Sequence, residues 1–279
     1  MPVKLIADSG ATKCEWALVQ DGKTRTIATQ GISPYFLTGD QITALLSKEL
    51  LPKLKNAAVT HIHFYGTGLA NPDNADIIKK VLKGLFPKAK TEVQTDILAT
   101  ARALCGRKKG VACGLGTGTI SCYYDGKKIA KTSPGLGYIL GDEGSGTYLG
   151  KKVIQYYLYK TFDEELMARF EKRFLTSQKE ILDRVYKQPL ANRYLASFAI
   201  FLAENRGHYM IENIIEDGLN DFFFTHVYKY RESWTMPIHF TGSIAFGFRD
   251  VLKELCNSYE LELGNVIKSP MKGLLAYHR

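Results

Sequence analysis

One pattern constrains the fold of this chain more than any other, because it occurs twice. Near the start, "LIADSGATKCEWALV" is a hydrophobic strand, a small-residue turn and a second hydrophobic strand; "QDGK" then signals a hairpin before a third strand, Thr24–Thr29. In the middle of the chain, "GVACGLGTGTISCYYDGKKIAKT" repeats the arrangement with a Gly/Thr turn and another "DG" hairpin. Helical spacing follows each copy. A duplicated strand–turn–strand–turn–strand unit with helices implies an α/β protein of two similar domains facing across a cleft. At 279 residues the chain is long enough for two such cores. The basic loop "GRKKG" at Gly106–Gly110 marks a tight boundary, giving domains 1–107 and 108–279.

The spacing predicts strands at Val3–Ala7 and Cys14–Val19 in the first repeat, and at "THIHFYGTG" and Glu92–Thr95 between the repeats. Helices are expected at Asp40–Leu51, ended by Pro52, at Asn74–Phe86, and at Ile97–Leu104, opened by Asp96. Thr147–Tyr230 reads as a helical insertion in the second domain. Its runs "YYLYK" and "DFFFTHVYKY" read as helix cores or an oligomer face, with a homodimer left open. "MPIHFTGSIAFGFRDVLKEL" then gives strand, turn and helix, and "NVIKSPMKGLL" a last strand and closing helical turn.

Composition narrows the function classes. The 37 Lys and Arg against 28 Asp and Glu give a net charge of +9, compatible with anionic ligands. The basic residues are scattered, so no nucleic-acid surface is expected. Lys4 and Asp8 interrupt the first hydrophobic stretch, and no run approaches a membrane span, so neither a signal peptide nor a membrane segment is expected. The five cysteines show no CxxC spacing and sit mostly in hydrophobic runs, as buried residues in a reducing cytoplasm do. His61 and His63 alternate on one strand face without further metal ligands nearby.

There is no GxxxxGK[ST] and no GxGxxG after a strand. The phosphate-binding candidates are instead the two repeated turns, "DSGATK" and "GLGTGT". Their small residues let backbone amides approach phosphate oxygens, with Thr12, Thr117 and Thr119 as additional donors. Asp8, at a strand end beside the first turn, is either a seat for Mg²⁺ or a turn cap. Asp96, between a strand and a helix, is either the helix N-cap or a general base. The glycines around Asp142 and Glu143 in "GLGYILGDEGSGTYLG" point to close backbone approach to a ligand, with carboxylates that can hold sugar hydroxyls.

The motifs "DSGATK", "TDILATA", "GLGTGT", "GLGYILGDEGSG" and "FTGSIA" resemble, in order and spacing, those of the acetate and sugar kinase/Hsp70/actin superfamily. The chain is most similar to the N-acetylglucosamine kinase-like branch, also called the BadF/BadG/BcrA/BcrD ATPase family, over essentially its whole length. The resemblance implies two ribonuclease H-like, actin-like ATPase domains with ATP and Mg²⁺ at the base of the cleft. It makes Asp8 the magnesium-linked acid, Gly10, Ala11, Thr12 and Lys13 the first phosphate loop, and Asp96 the catalytic base, in contact with substrate. Thr117, Gly118 and Thr119 become the second phosphate loop, with Thr117 also near the substrate. Gly135, Leu136 and Asp142 face the sugar, and Gly242 and Ser243 lie against the adenosine. Two positions depart from the sugar kinase: Pro34, Tyr35 and Phe36 replace a loop containing asparagine, and Leu136 replaces a tryptophan.

The leading expectation is an ATP-dependent kinase phosphorylating a hydroxyl of an amino sugar, N-acetylglucosamine or a close relative such as N-acetylmuramic acid. The rivals are an ATPase activator of a radical acyl-CoA dehydratase and a non-catalytic sugar- or nucleotide-binding regulator. The first would need exposed cysteine ligands for an iron–sulfur cluster; retention of both Asp8 and Asp96 disfavours the second.

Overall fold

The computed structural model describes residues 2–10 and 13–279. Its residues form two compact units: Met1–Arg107 together with Pro270–Arg279, and Lys108–Ser269. In the first, β1 (Lys4–Ser9), β2 (Lys13–Gln20) and β3 (Lys23–Gln30) form a meander. It is followed by α1 (Gly39–Glu49), α2 (Leu51–Leu54), β4 (His61–Gly66), α3 (Pro72–Leu85), β5 (Lys90–Thr95) and α4 (Asp96–Cys105). Among the described residues these strands make a five-stranded sheet of order β3-β2-β1-β4-β5. The meander is antiparallel, whereas β4 and β5 run parallel to β1.

The second unit begins with β6 (Gly110–Leu115), β7 (Thr119–Tyr124) and β8 (Ile129–Thr132). A long helical stretch follows: α5 (Gly137–Leu140), α6 (Gly146–Leu158), α7 (Glu164–Phe174), α8 (Gln178–Tyr186), α9 (Ala191–Ser197), α10 (Ile200–Glu204) and α11 (Tyr209–Phe222). Next come a π-helical turn (Phe223–Val227), a 3₁₀ turn (Arg231–Trp234), β9 (Ile238–Thr241), α12 (Ser243–Gly247), α13 (Arg249–Ser258) and β10 (Leu263–Ile267). The sheet order is β10-β9-β6-β7-β8, with an antiparallel meander and parallel β6, β9 and β10. From the meander inward, this is the order of the first sheet, so the repeat seen in the sequence is a repeat of topology.

Side-chain alternation explains why the central strand of the first unit is buried on both faces. Leu5 and Ala7 join Trp16, Phe64, Ile42, Leu46, Ile78 and Leu82 on one side. Ile6 joins Ala17, Tyr65 and Ala99 on the other, where Met271 and Leu274 of α14 (Met271–Tyr277) complete the cluster. The sequence pattern carries the second domain through residue 279. The closing segment instead packs with the first unit, because the face of β1 carrying Ile6 needs an apolar cover.

Gly273 lies so close to α4 that a Cβ there would stand 2.1 Å from the Ala103 carbonyl oxygen. Arg102 fastens the same face, donating to the Tyr65 hydroxyl at 2.6 Å and to Glu92 at 2.8 Å. His63 is spoken for in this network: its Nδ1 bonds Glu92 at 2.8 Å and its ring stacks on His278 at 3.7 Å. Pro52, expected to end a helix, opens the short α2. The aromatic runs are mainly core: Tyr157 stacks on Phe170 at 4.0 Å, and Phe222 and Phe223 are fully buried.

Candidate active site

In the first unit, the parallel strands β1, β4 and β5 end together, and their carboxyl ends carry Asp8, Gly66–Thr67 and Thr95–Asp96. The carboxyl edge of parallel strands is where α/β sheets place ligands. Asp8 is paired in register with Glu15 of β2 and Tyr65 of β4. Burial, then the charges of Asp96 and Glu15, push its carboxyl up to about 7. Burial likewise pushes Asp96 up to about 6, against hydrogen bonds from the Ile97 amide and the Thr67 side chain.

The choice between cap and base at Asp96 is sharpened by its neighbour. The N-cap of α4 is Thr95, whose hydroxyl accepts from the Leu98 amide at 3.3 Å; Asp96 is the first helical residue. The capping role is therefore filled without Asp96, and a partly buried acid is left at the strand edge.

The turn beside Asp8 closes through Gly10 N–H donating to the Lys13 carbonyl at 3.1 Å. Lys13 is exposed at the start of β2. Ser9 is occupied structurally: its hydroxyl donates to the Ile32 carbonyl and accepts from the Ile32 amide, at 3.1 and 2.9 Å. Ala11 and Thr12, expected in the first phosphate loop, lie outside the described residues.

The second unit brings another set together. Gly116 N–H donates to the Gly118 carbonyl at 3.0 Å to close the turn, and Thr117 stands exposed at its tip. Asp142 accepts from the Thr119 amide at 3.1 Å, and its carboxylate lies so near Gly118 that a Cβ there would be 3.0 Å from it. Thr119 also donates its hydroxyl to the Glu143 carbonyl at 2.7 Å. Both donors of Thr119 thus hold the "GDEG" turn. Asp142 sits in the left-handed region at φ +61°, and burial raises its carboxyl above the usual range.

The glycine cluster needs a correction. Gly144, at φ +72°, backs onto α11 so closely that a Cβ would be 2.7 Å from that of Phe222. A Cβ at Gly146 would be 3.2 Å from the Gly116 carbonyl oxygen. Packing therefore accounts for these two, and open space surrounds Gly135, which with Leu136 and Asp142 lines a small cavity. Gly242 is forced by both conformation and contact, at φ +116° with its Cα hydrogen toward the Leu115 carbonyl; Ser243 follows, exposed, at the start of α12.

Sequence reasoning missed His226. It lies within the π-helical turn after α11, its ring stacked on Phe222 at 5.2 Å. Its Nε2 meets Glu143 at 3.0 Å and its Nδ1 meets the Ser133 hydroxyl at 3.0 Å. A histidine inside "DFFFTHVYKY" was the available signal, hidden by the aromatic run around it. Two further observations bear on function. All five cysteines are buried and unbridged, and no group of three or more His, Cys, Asp or Glu among the described residues forms a metal cage. No described helix is long and apolar enough to cross a membrane.

No family model matches the chain. The fold is very close to that of the crystal structure named "Putative N-acetylglucosamine Kinase" from Porphyromonas gingivalis, with 37% identity, a TM-score of 0.95, and coverage of 100% of this chain and 98% of that one. A second crystal structure with that name, from Chromobacterium violaceum, shares the fold at 18% identity and a TM-score of 0.71, covering 100% of this chain and 99% of that one. MreB 5 of Spiroplasma citri bound to AMPPNP shares it at 11% identity and 0.58, over 99% and 96% of the two chains. A curated N-acetylmuramic acid/N-acetylglucosamine kinase of Clostridium acetobutylicum is 26% identical over 169 residues, 56% of this chain and 53% of that protein, so the match spans about half of that relative. The chain belongs to the N-acetylglucosamine kinase-like family, a sugar-kinase branch of the acetate and sugar kinase/Hsp70/actin superfamily.

Proposed function

We propose that this chain is an ATP-dependent kinase that phosphorylates a hydroxyl of an amino sugar, N-acetylglucosamine or a close relative such as N-acetylmuramic acid. The observation that carries the reading is the pair Asp8 and Asp96 at one strand edge, both pushed up by burial, with the cap of α4 supplied by Thr95. The names of the relatives from P. gingivalis and C. acetobutylicum support the same chemistry.

In this reading Asp96 takes the proton of the acceptor hydroxyl as that oxygen bonds the terminal phosphorus of ATP and the bond to ADP breaks. An acid pushed up to about 6 suits a general base, because it is mostly ionised at neutral pH yet more basic than an ordinary aspartate. Asp8 fits a magnesium ion. Its carboxylate is opposed by two other acids, and with no three-ligand cage among the described residues, one carboxylate plus waters and phosphates is the donor set Mg²⁺ commonly takes. Bound there, the ion would neutralise charge on the phosphates.

Residues of the Gly10–Lys13 turn, with Thr117 and Gly118, would hold the phosphates, and Gly242 and Ser243 the adenosine. Thr119, whose amide and hydroxyl are taken by Asp142 and the Glu143 carbonyl, would brace the second loop instead of donating to phosphate. Gly135, Leu136 and Asp142 would meet the sugar. Five buried, unbridged cysteines accord with a reducing cytoplasm and argue against the iron–sulfur activator. The test is coupled ADP release from the purified protein with Mg²⁺–ATP and a panel of amino sugars. Sugar-dependent release with N-acetylglucosamine or N-acetylmuramic acid supports the reading; release with none of the panel overturns it.

A further inference from the structure

Glu143 and His226 have no part in the reaction as drawn so far, yet they are built into the wall of one cavity. This cavity, of about 30 Å³, lies wholly within the second unit and is lined by Ser133, Leu136, Asp142, Glu143, His226 and Lys229, among others. It is the size of a single hydroxyl or water rather than of a sugar ring. The cavity contains the residue proposed to meet the sugar, Asp142, and the one beside it in sequence, Glu143.

Glu143 is held at three points. Its backbone carbonyl takes the Thr119 hydroxyl at 2.7 Å, the Gly144 after it lies flat on α11, and its Oε2 meets His226 Nε2 at 3.0 Å. A carboxylate can only accept, so His226 donates from Nε2; Nδ1 of the neutral ring then accepts the Ser133 hydroxyl. The imidazole is only 6% exposed, and burial lowers its pKa, which keeps it neutral. The π-helical turn closes with Tyr228 N–H on the Phe223 carbonyl at 3.1 Å. Such turns add a residue to the helix and frequently mark functional sites. Ser133, His226 and Glu143 thus form a partly buried hydrogen-bonded chain that fixes one carboxylate oxygen and leaves Oε1 without a hydrogen bond from the described residues.

We propose that Glu143 is a second acceptor-binding carboxylate beside Asp142, taking a sugar hydroxyl on its other oxygen, and that His226, held by Ser133, is the positioning residue that aims it. The proposal rests on the amino-sugar kinase reading. It makes the Asp142–Glu143 pair a two-carboxylate clamp, in which the left-handed conformation at Asp142 turns consecutive side chains toward one cavity.

Steady-state kinetics with N-acetylglucosamine and N-acetylmuramic acid test it, using His226→Leu, His226→Gln, Glu143→Gln and the double variant His226→Leu/Glu143→Gln. The expected result for His226→Leu is a KM for the sugar raised about ten- to hundredfold, the range for a lost hydrogen bond to a charged group, with KM for ATP unchanged. His226→Gln, which can still donate to Glu143, should recover most of that loss. Glu143→Gln should match His226→Leu, and the double variant should be little worse than either, because both act on one contact. A folded His226→Leu or Glu143→Gln with wild-type KM for the sugar overturns the proposal. So does an equal rise in KM for ATP, or full additivity in the double variant. If the wild type phosphorylates neither sugar, the kinase reading fails and takes this proposal with it; if it does and the variants match it, only this proposal fails.

Discussion

Asp8→Asn should make the protein more stable at neutral pH while removing its activity. Folded Asp8 holds its proton up to pH about 7, against 3.8 for an ordinary aspartate. Between those values the folded state binds more protons than the unfolded state, so stability falls as pH rises. The contribution is fully present below about pH 4 and is lost as pH climbs through 7. At 1.36 kcal/mol per unit, the wild type carries up to about 4 kcal/mol of destabilisation at pH 8. The repulsion from Asp96 is included in that figure, so it must not be added again when Asp96 is considered.

Asparagine has nearly the same shape and no charge, and removes the penalty. At about 2–4 °C per kcal/mol, melting should rise by of order 10 °C at pH 8 and by little at pH 4. Differential scanning fluorimetry and chemical unfolding of both proteins from pH 4 to 8.5 measure this, and ADP release at saturating sugar measures the lost turnover. A folded Asp8→Asn no more stable than wild type at pH 8 refutes the reasoning. A gain that fails to shrink on acidification does so too, because the effect would not be the burial of a charge.

Asp96→Asn should lower turnover by about 10²- to 10⁴-fold with nucleotide affinity near wild type, as read by single-turnover kinetics and calorimetry; since Thr95 caps α4, its helix should stay intact. Asp142→Ala should weaken N-acetylglucosamine binding in calorimetry and, by losing the Thr119 amide contact, reduce stability by about 1 kcal/mol. If the folded variant binds the sugar as tightly as wild type, Asp142 is only a brace for its turn. Gly242→Ala, at φ +116° with its new Cβ 2.2 Å from the Leu115 oxygen, should destabilise the second unit by at least about 1–3 kcal/mol, measured by chemical unfolding.

The repeated meander was legible because its signals are local. Hydrophobic alternation marks the strands, and Asp21–Gly22, both at positive φ, form the tight turn that such a pair predicts. The second "DG" works differently: Asp125 accepts from the Lys127 and Lys128 amides, each at 2.8 Å, so an Asx turn in a longer loop replaces the two-residue hairpin. What escaped depends on contacts distant in sequence. Nothing near Asp96 says that Thr95 takes the cap, since both residue types can do so. Glycines at 144 and 146 look like ligand-binding glycines until α11 and the Gly116 carbonyl are seen against them. His226 looks like one more core residue of an aromatic helix until its two ring nitrogens are followed to Ser133 and Glu143.

The placement of α14 has a consequence for how the protein is made. The second unit is a continuous stretch, so all of its chain is available once Ser269 has been synthesised. The first unit is interrupted. Its strands and α4 are complete by Arg107, but Ile6, Ala17, Tyr65 and Ala99 lack their cover until Met271 and Leu274 emerge. At about 5–20 residues per second, the part of the protein synthesised first waits of order ten to thirty seconds with one face of its sheet covered by α4 alone. The nascent chain thus completes its later half before its earlier one, and during that interval the half-covered face is the surface most in need of a chaperone's protection.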